Sequence, residues 1–236
     1  MIKEAFAFFC TSYNDLADCG QLATFLHPCE IARIQNAGDK RKAEFFCGRI
    51  CAKRAAARVI GGSGDIRDIP ILNDCRGAPY FEDGRLSVSI THGDSLAAAL
   101  VTDRARLLAG VDLQKVTVRG AKVIGRTLKG PEKVLVAQYS GQFGQNFCAT
   151  AVWVAKEAAS KLLGYGFSLF EALEVSGFEG GESVQVRFKN FAGLTVVIRP
   201  YQDFLFGFAV EKKNAELFFA HSFEIQETPL ALLKNP

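Results

Sequence analysis

The chain has 236 residues, 49% of them apolar and 22% charged, which gives room for one large globular domain or two small ones with a sizeable core. No apolar run approaches the roughly 18–20 residues of a membrane span, and Met1-Ile-Lys-Glu-Ala-Phe lacks the long apolar region of a secretory leader, so no membrane role is expected. The net charge is +3, and the seven cysteines are scattered with no C-x-x-C or zinc-spaced His, which points to reduced thiols in a cytoplasm.

Residues 37–60 read as a long helix, with Phe45, Phe46, Ile50, Ala52, Ala56 and Ile60 at helical spacing before Gly61-Gly-Ser-Gly64 breaks it. Cys47 and Cys51 share one face and read as small buried residues. This helix lies in the basic stretch of the chain: residues 33–58 hold Arg33, Lys40, Arg41, Lys42, Arg49, Lys53, Arg54 and Arg58 against Asp39 and Glu44 only. Such a cluster suits an anionic partner. No nucleic-acid motif or interleaved aromatic accompanies it, so a small phosphorylated ligand is expected and nucleic acid is not.

A turn-rich stretch, Asn73-Asp-Cys-Arg-Gly-Ala-Pro79, is followed by the alternating strand Leu86-Ser-Val-Ser-Ile-Thr-His92 and the small-apolar run Leu96–Val101. Thr102–Arg106 reads as a turn into the strand Leu107–Leu113. Helical pattern returns around 119–140 and at 146–163. From 173 the pattern is β-like, with strands at Val184–Phe188, Leu194–Ile198, Phe204–Val210 and Leu217–His221. No repeat of fixed period is visible. The expected fold is α+β with two similar lobes, 1–104 and 105–236, each a long helix on a small sheet, and a ligand cleft between them.

Three segments carry chemistry. In Trp153-Val-Ala-Lys-Glu-Ala-Ala-Ser-Lys161 the residues Trp153, Lys156, Glu157, Ser160 and Lys161 share a helical face, opposite Phe147, Ala151, Val154, Ala155, Ala158 and Leu162. A carboxylate flanked by two lysines could hold a cation and a phosphate. Alone it reads first as a solvated face with a Glu157–Lys161 pair worth about 0.2–0.5 kcal/mol. Gly110-Val-Asp112-Leu-Gln114 puts an acid in an apolar strand, where it needs a partner, a cation, or a place in solvent at the strand end. If Asp112 and Glu157 converge, they form the oxygen half-site from which Mg²⁺ is held. Ser89-Ile-Thr-His92 ends a strand with hydroxyls and an imidazole that could bind phosphate, or simply with a hydrogen-bonded His.

Taken in order, Lys40-Arg-Lys-Ala-Glu-Phe-Phe-Cys-Gly-Arg-Ile-Cys-Ala-Lys53, Arg76-Gly-Ala-Pro79, Ser89-Ile-Thr-His92, Gly110-Val-Asp112 and Trp153–Lys161 resemble the Sfp-type 4′-phosphopantetheinyl transferases, most of all the group that primes siderophore-type synthetases. The resemblance covers residues 40–166. It implies a pseudo-dimeric fold of two mainly antiparallel lobes, and transfer of phosphopantetheine from coenzyme A to a serine of an apo acyl or peptidyl carrier protein, releasing 3′,5′-ADP. It implies Mg²⁺ on Asp112 and Glu157, with Glu157 also the proposed base and Lys161 on the diphosphate. It further implies that Arg41, Arg49, Arg76, Ser89, Thr91, His92 and Lys156 contact coenzyme A. Lys42, Lys53 and Arg54 are expected to face solvent. Gln114 stands where many members carry a Glu, so a third metal ligand there would be neutral. The carrier would meet Val116–Leu128, where Lys115, Arg119, Lys122, Arg126 and Lys129 suit an acidic helix. A monomer is expected. A non-catalytic coenzyme A-binding module of the same fold is the alternative.

Overall fold

The computed structural model describes residues 4–13, 19–62, 65–220 and 225–226. The chain forms two compact units, Met1–Ala109 with Ser222–Pro236, and Gly110–His221. In the first, strand β1 (Phe6–Ser12) leads through two short helices, α1 (Cys19–Ala23) and α2 (Pro28–Ile34), into the 22-residue helix α3 (Asp39–Ile60). The hairpin β2 (Ile71–Asn73) and β3 (Pro79–Phe81) follows, then β4 (Leu86–Gly93) and β5 (Leu96–Asp103). In the second unit β6 (Ala109–Lys115) leads through α4 (Val118–Thr127) and α5 (Gly130–Phe143) into α6 (Gln145–Leu163). After it come β7 (Val175–Gly180), β8 (Val184–Phe188), β9 (Leu194–Tyr201), β10 (Phe204–Glu211) and the short helix α7 (Glu216–Ala220). The last strand, β11 (Ile225–Gln226), pairs parallel with β1.

The sheet orders are β11-β1-β5-β4 in the first unit and β6-β10-β9-β8-β7 in the second, and they agree over three strands, β1-β5-β4 and β6-β10-β9. The pairings β1/β5, β4/β5, β7/β8, β8/β9 and β9/β10 are antiparallel. Each sheet carries one long helix, and apolar residues of helix and sheet close one core in each unit: Phe46, Ile50, Val88 and Val101 in the first, Val152, Val154, Val196 and Ile198 in the second. The α+β fold with two similar lobes is therefore the observed one.

Local chemistry explains where the elements differ from expectation. The helical pattern at 119–140 is two helices, because Leu128 is extended (φ −66°, ψ 138°) and Pro131 opens a new helix in its first turn. The run after Glu216 is a helix where a strand is expected at Leu217–His221; His221 itself lies outside the described residues. Four apolar residues in a row suit either structure. Here Phe218 stacks on Phe208 at 5.3 Å while Glu216 occupies the first turn, as a helix prefers.

Candidate active site

In the second unit, β6 and α6 touch because residue 110 has no side chain. A Cβ on Gly110 would lie 2.3 Å from the carbonyl oxygen of Ala158 and 2.7 Å from the amide nitrogen of Leu162. Residues two apart share a strand face, so Asp112 meets the same helix. Lys161 Nζ donates to Asp112 Oδ1 at 2.7 Å and to the Val111 carbonyl at 3.2 Å. Glu157 sits one helical turn before Lys161. Burial pushes its carboxyl above the ordinary range, the nearby charge of Asp112 pushes it further, and Lys161 opposes both. The structure thus brings Asp112, Glu157 and Lys161 together, with Gln114 half-buried two residues along the Asp112 face. Two carboxylates held in one another's field call for a cation, and Lys161 meets part of that demand. Among the described residues no group of three His, Cys, Asp or Glu side chains is arranged for a metal. A divalent ion here would rest on the two carboxylates and neutral oxygens, a donor set that fits Mg²⁺.

Lys156 does not join them. The face running from Lys156 to Lys161 is roughly 140° wide at about 100° per residue, so its edges meet different surroundings. The Lys156 ammonium, 2% exposed, donates to Glu132 Oε1 at 3.0 Å and lies 4.5 Å from the centre of the Phe170 ring. Glu132 also accepts from the backbone of Val175 at 3.2 Å and of Lys129 at 3.0 Å. Lys156, expected to contact coenzyme A, is thus placed in a buried ion pair.

The basic cluster of the first unit lines a cavity of about 520 Å³ with Arg33, Arg41, Glu44, Arg49, Asn73 and His92 on its walls. Helix α3 packs so tightly on β4 that a Cβ on Gly48 would lie 2.8 Å from Ile90 Cγ2, which sets the α3 side chains against His92. Arg41 Nη1 lies 3.0 Å from His92 Nε2. Arg49 is 3% exposed; Nη2 donates to Asn73 Oδ1 and Nε lies 3.8 Å from Glu30 Oε1, while among the described residues Nε and Nη1 have no hydrogen-bond partner. Burial pulls its guanidinium down to about 10, although Glu30 works against that. A buried arginine with unspent donors on a cavity wall is an anion site in waiting.

Other expected residues are elsewhere. Ser89 and Thr91 are buried on the face of β4 opposite His92, as the pleat requires. Arg76 is exposed on the turn after β2 and pairs with Asp74 at 3.7 Å, while its neighbours Gly77 and Asn73 line the cavity. Lys53, expected in solvent, is fully buried: Nζ lies 2.9 Å from Glu30 Oε2 and donates to the carbonyls of Ile69 and Arg67. Lys42 and Arg54 are half-buried.

Residues 30–102 match the family model of the 4′-phosphopantetheinyl transferase N-terminal domain. Over 83 residues the chain is 40% identical to the holo-[acyl-carrier-protein] synthase of Streptococcus sanguinis, covering 32% of this chain and 69% of that protein. The chain belongs to the 4′-phosphopantetheinyl transferase family. A similar match, 42% over 80 residues, joins it to the holo-[acyl-carrier-protein] synthase of Anoxybacillus flavithermus, covering 30% of this chain and 67% of that one. Among solved structures, a holo-(acyl-carrier-protein) synthase from Bacillus anthracis in complex with CoA (3′,5′-ADP) is 23% identical with a TM-score of 0.39, covering 43% of this chain and 96% of its own.

As a transferase of this family, the chain carries cavity residues that its sequence did not single out. Arg33 and Glu44 sit inside the basic stretch, where one reads as another surface cation and the other as a stray countercharge. Asn73 opens the turn-rich stretch and reads there as a turn residue, and its contact with Arg49 reveals it.

Proposed function

We propose that this transferase moves 4′-phosphopantetheine from coenzyme A to a serine of an apo acyl or peptidyl carrier protein, releasing 3′,5′-ADP. The observation that carries the reading is the meeting of Asp112, Glu157 and Lys161 where Gly110 lets β6 touch α6. Attack of a hydroxyl on a phosphoanhydride needs charge neutralisation, alignment and a base. Lys161 supplies a fixed positive charge for the diphosphate. Asp112 and Glu157, with Gln114 as a neutral neighbour, would hold Mg²⁺, which when bound acts as Lewis acid and template for the diphosphate. Glu157 is the group placed to take the serine proton, directly or through water. In the first unit, Arg41, Arg49 and His92 would take the nucleotide end, since guanidinium forks match phosphate oxygens. Basic residues of α4, among them Arg119, Lys122 and Arg126, would face the acidic carrier.

Two units of one plan in a single chain favour the Sfp-type group acting as a monomer, and the free cysteines at 10, 29, 47, 51, 75 and 148 favour a cytoplasmic setting. Incubation with coenzyme A, Mg²⁺ and a panel of apo carriers, followed by mass spectrometry, tests the proposal. The expected result is a phosphopantetheine adduct that Asp112→Ala abolishes. No adduct on any carrier, with coenzyme A still bound, would establish the binding-module alternative that the neutral Gln114 allows.

A further inference from the structure

The cavity that carries Arg33, Arg41, Arg49 and His92 has one carboxylate on its walls, Glu44. A negative charge in a site for an anion opposes binding unless it performs another task. Its Oε2 lies 3.3 Å from Arg41 Nη1 and 3.7 Å from His92 Nδ1, and its side chain is only 15% exposed. The same Arg41 nitrogen lies 3.0 Å from His92 Nε2. Arginine can only donate, so a hydrogen bond between them makes Nε2 the acceptor and leaves Nδ1 as the edge turned toward Glu44. Arg41 itself is 54% exposed, and a long side chain so exposed keeps wide rotamer freedom unless something tethers it. Glu44 is three residues along α3 from Arg41 and reaches both it and the imidazole of β4. Among the described residues no other acid lines the cavity.

We infer that Glu44 is a positioning residue of the nucleotide site: it holds the Arg41 guanidinium beside the His92 ring in the arrangement that receives the nucleotide's 3′-phosphate. The inference rests on the reading of this cavity as the place of the coenzyme A nucleotide. Repulsion and preorganisation act in opposite directions here, so the sign of one substitution separates them. Glu44→Gln keeps the size of the side chain and removes its charge. If Glu44 were only a countercharge, an anion would bind more tightly to this variant.

The experiment titrates wild type and Glu44→Gln with 3′,5′-ADP and with 5′-AMP by calorimetry, and repeats the substitution in an Arg41→Ala/His92→Ala background. The expected result is 3′,5′-ADP binding weakened about three- to fivefold, the range of a well-placed ion pair, with 5′-AMP unchanged. In the double-alanine background the substitution should weaken nothing, because the groups it positions are gone. Tighter 3′,5′-ADP binding to Glu44→Gln would overturn the inference, and so would equal losses for both nucleotides. If wild type binds neither nucleotide, the coenzyme A reading of the cavity falls and takes this inference with it. If wild type binds and only the sign is wrong, Glu44 alone loses its role.

Discussion

Replacing Lys156 by Met separates two readings of α6. As a coenzyme A contact, Lys156 would affect the KM for coenzyme A and leave stability alone. The structure says the reverse. Lys156 and Glu132 are 2% and 0% exposed and 3.0 Å apart, so removing the ammonium leaves a buried carboxylate held, among the described residues, by the Val175 and Lys129 amides. Breaking one partner of such a pair costs about 3–5 kcal/mol, and methionine keeps most of the stem volume against Phe170, so little of that is lost packing. At about 2–4 °C per kcal/mol for a chain of this size, the melting temperature should fall by about 6–20 °C. Glu132→Gln should cost a similar amount by stranding the ammonium. The double variant should be more stable than the sum of the singles by about 1–3 kcal/mol, the mark of a direct pair. Circular-dichroism melts and urea titrations read the stabilities, and coenzyme A saturation measured well below the melting point reads the site. A Lys156→Met protein that loses less than about 1 kcal/mol while its KM for coenzyme A rises would refute the buried-pair account.

Gly110→Ala puts a methyl group 2.3 Å from a backbone oxygen, which no rotamer change relieves, so β6 must shift off α6. The cost should be about 1–3 kcal/mol, and transfer activity should fall further than the stability loss explains; full activity below the melting point would count against the contact. Arg49→Met removes a buried guanidinium with unspent donors, so 3′,5′-ADP should bind about 10–100-fold more weakly, hydrogen bonds to charged groups being worth about 1.5–3 kcal/mol. Nucleotide affinity is to be measured well below the melting point, because the change also strips Asn73 and Glu30 of a buried partner, and unchanged nucleotide affinity would clear Arg49 of a binding role. Gln114→Glu adds a third carboxylate and should lower the Mg²⁺ concentration for half-maximal rate; an unchanged requirement would remove Gln114 from the metal set. Burial raises the thiols of Cys51, Cys10 (to about 12) and Cys148 (to about 11), so Cys29 and Cys75, which are exposed, should be labelled first by a thiol reagent. An unfolded thiol ionises near about 8.5; the stability these buried thiols contribute is thus whole below that pH and lost as pH rises toward their folded values. A urea midpoint that stays flat from neutral pH into that alkaline window would contradict this.

How much of this was legible in the sequence depended on whether a residue's neighbours lie within a few positions of it. Helical spacing marked α3 and α6, alternation marked β4, and Asp112 and Glu157 were visible because an acid in an apolar strand and an acid on an amphipathic face both need explaining. Lys53 and Lys156 were not legible. Each sits in a helix among other charges, and its partner, Glu30 or Glu132, lies more than twenty residues upstream at the start of a different helix. Nothing local distinguishes a lysine aimed inward from one aimed at solvent when the helical face is wide. Ser89 and Thr91 were grouped with His92 by adjacency, although the pleat alone sends them to the opposite face. Arg76 was expected at coenzyme A through its family-like motif, whereas its neighbours Asn73 and Gly77 are the ones that line the cavity.

The buried pairs also show how the two units are related. Glu30, three residues after His27 at the start of α2, accepts from the His27 amide, from Ile71 of β2, and pairs with Lys53 of the long helix. Glu132, three residues after Lys129 at the start of α5, accepts from the Lys129 amide, from Val175 of β7, and pairs with Lys156 of the other long helix. One carboxylate thus joins a helix start, a strand and the long helix in each unit, a duplication hidden from any fixed-period search. Aligned on these lysines, the chemistry diverges at once. The residue after Lys53 is Arg54 and the residue after Lys156 is Glu157; four further on stand Arg58 and Lys161, and Phe9 of β1 occupies the strand position of Asp112. Only the second unit can assemble the carboxylate pair, and only the first has Arg49 and His92 facing a cavity. The repeated framework thus carries different side-chain chemistry in each unit, carboxylates with a lysine in the second and arginines with a histidine in the first. Substitutions at the buried glutamates should therefore unfold either unit alike, whereas those at Asp112 or Arg49 should remove one chemical capacity and leave the other intact.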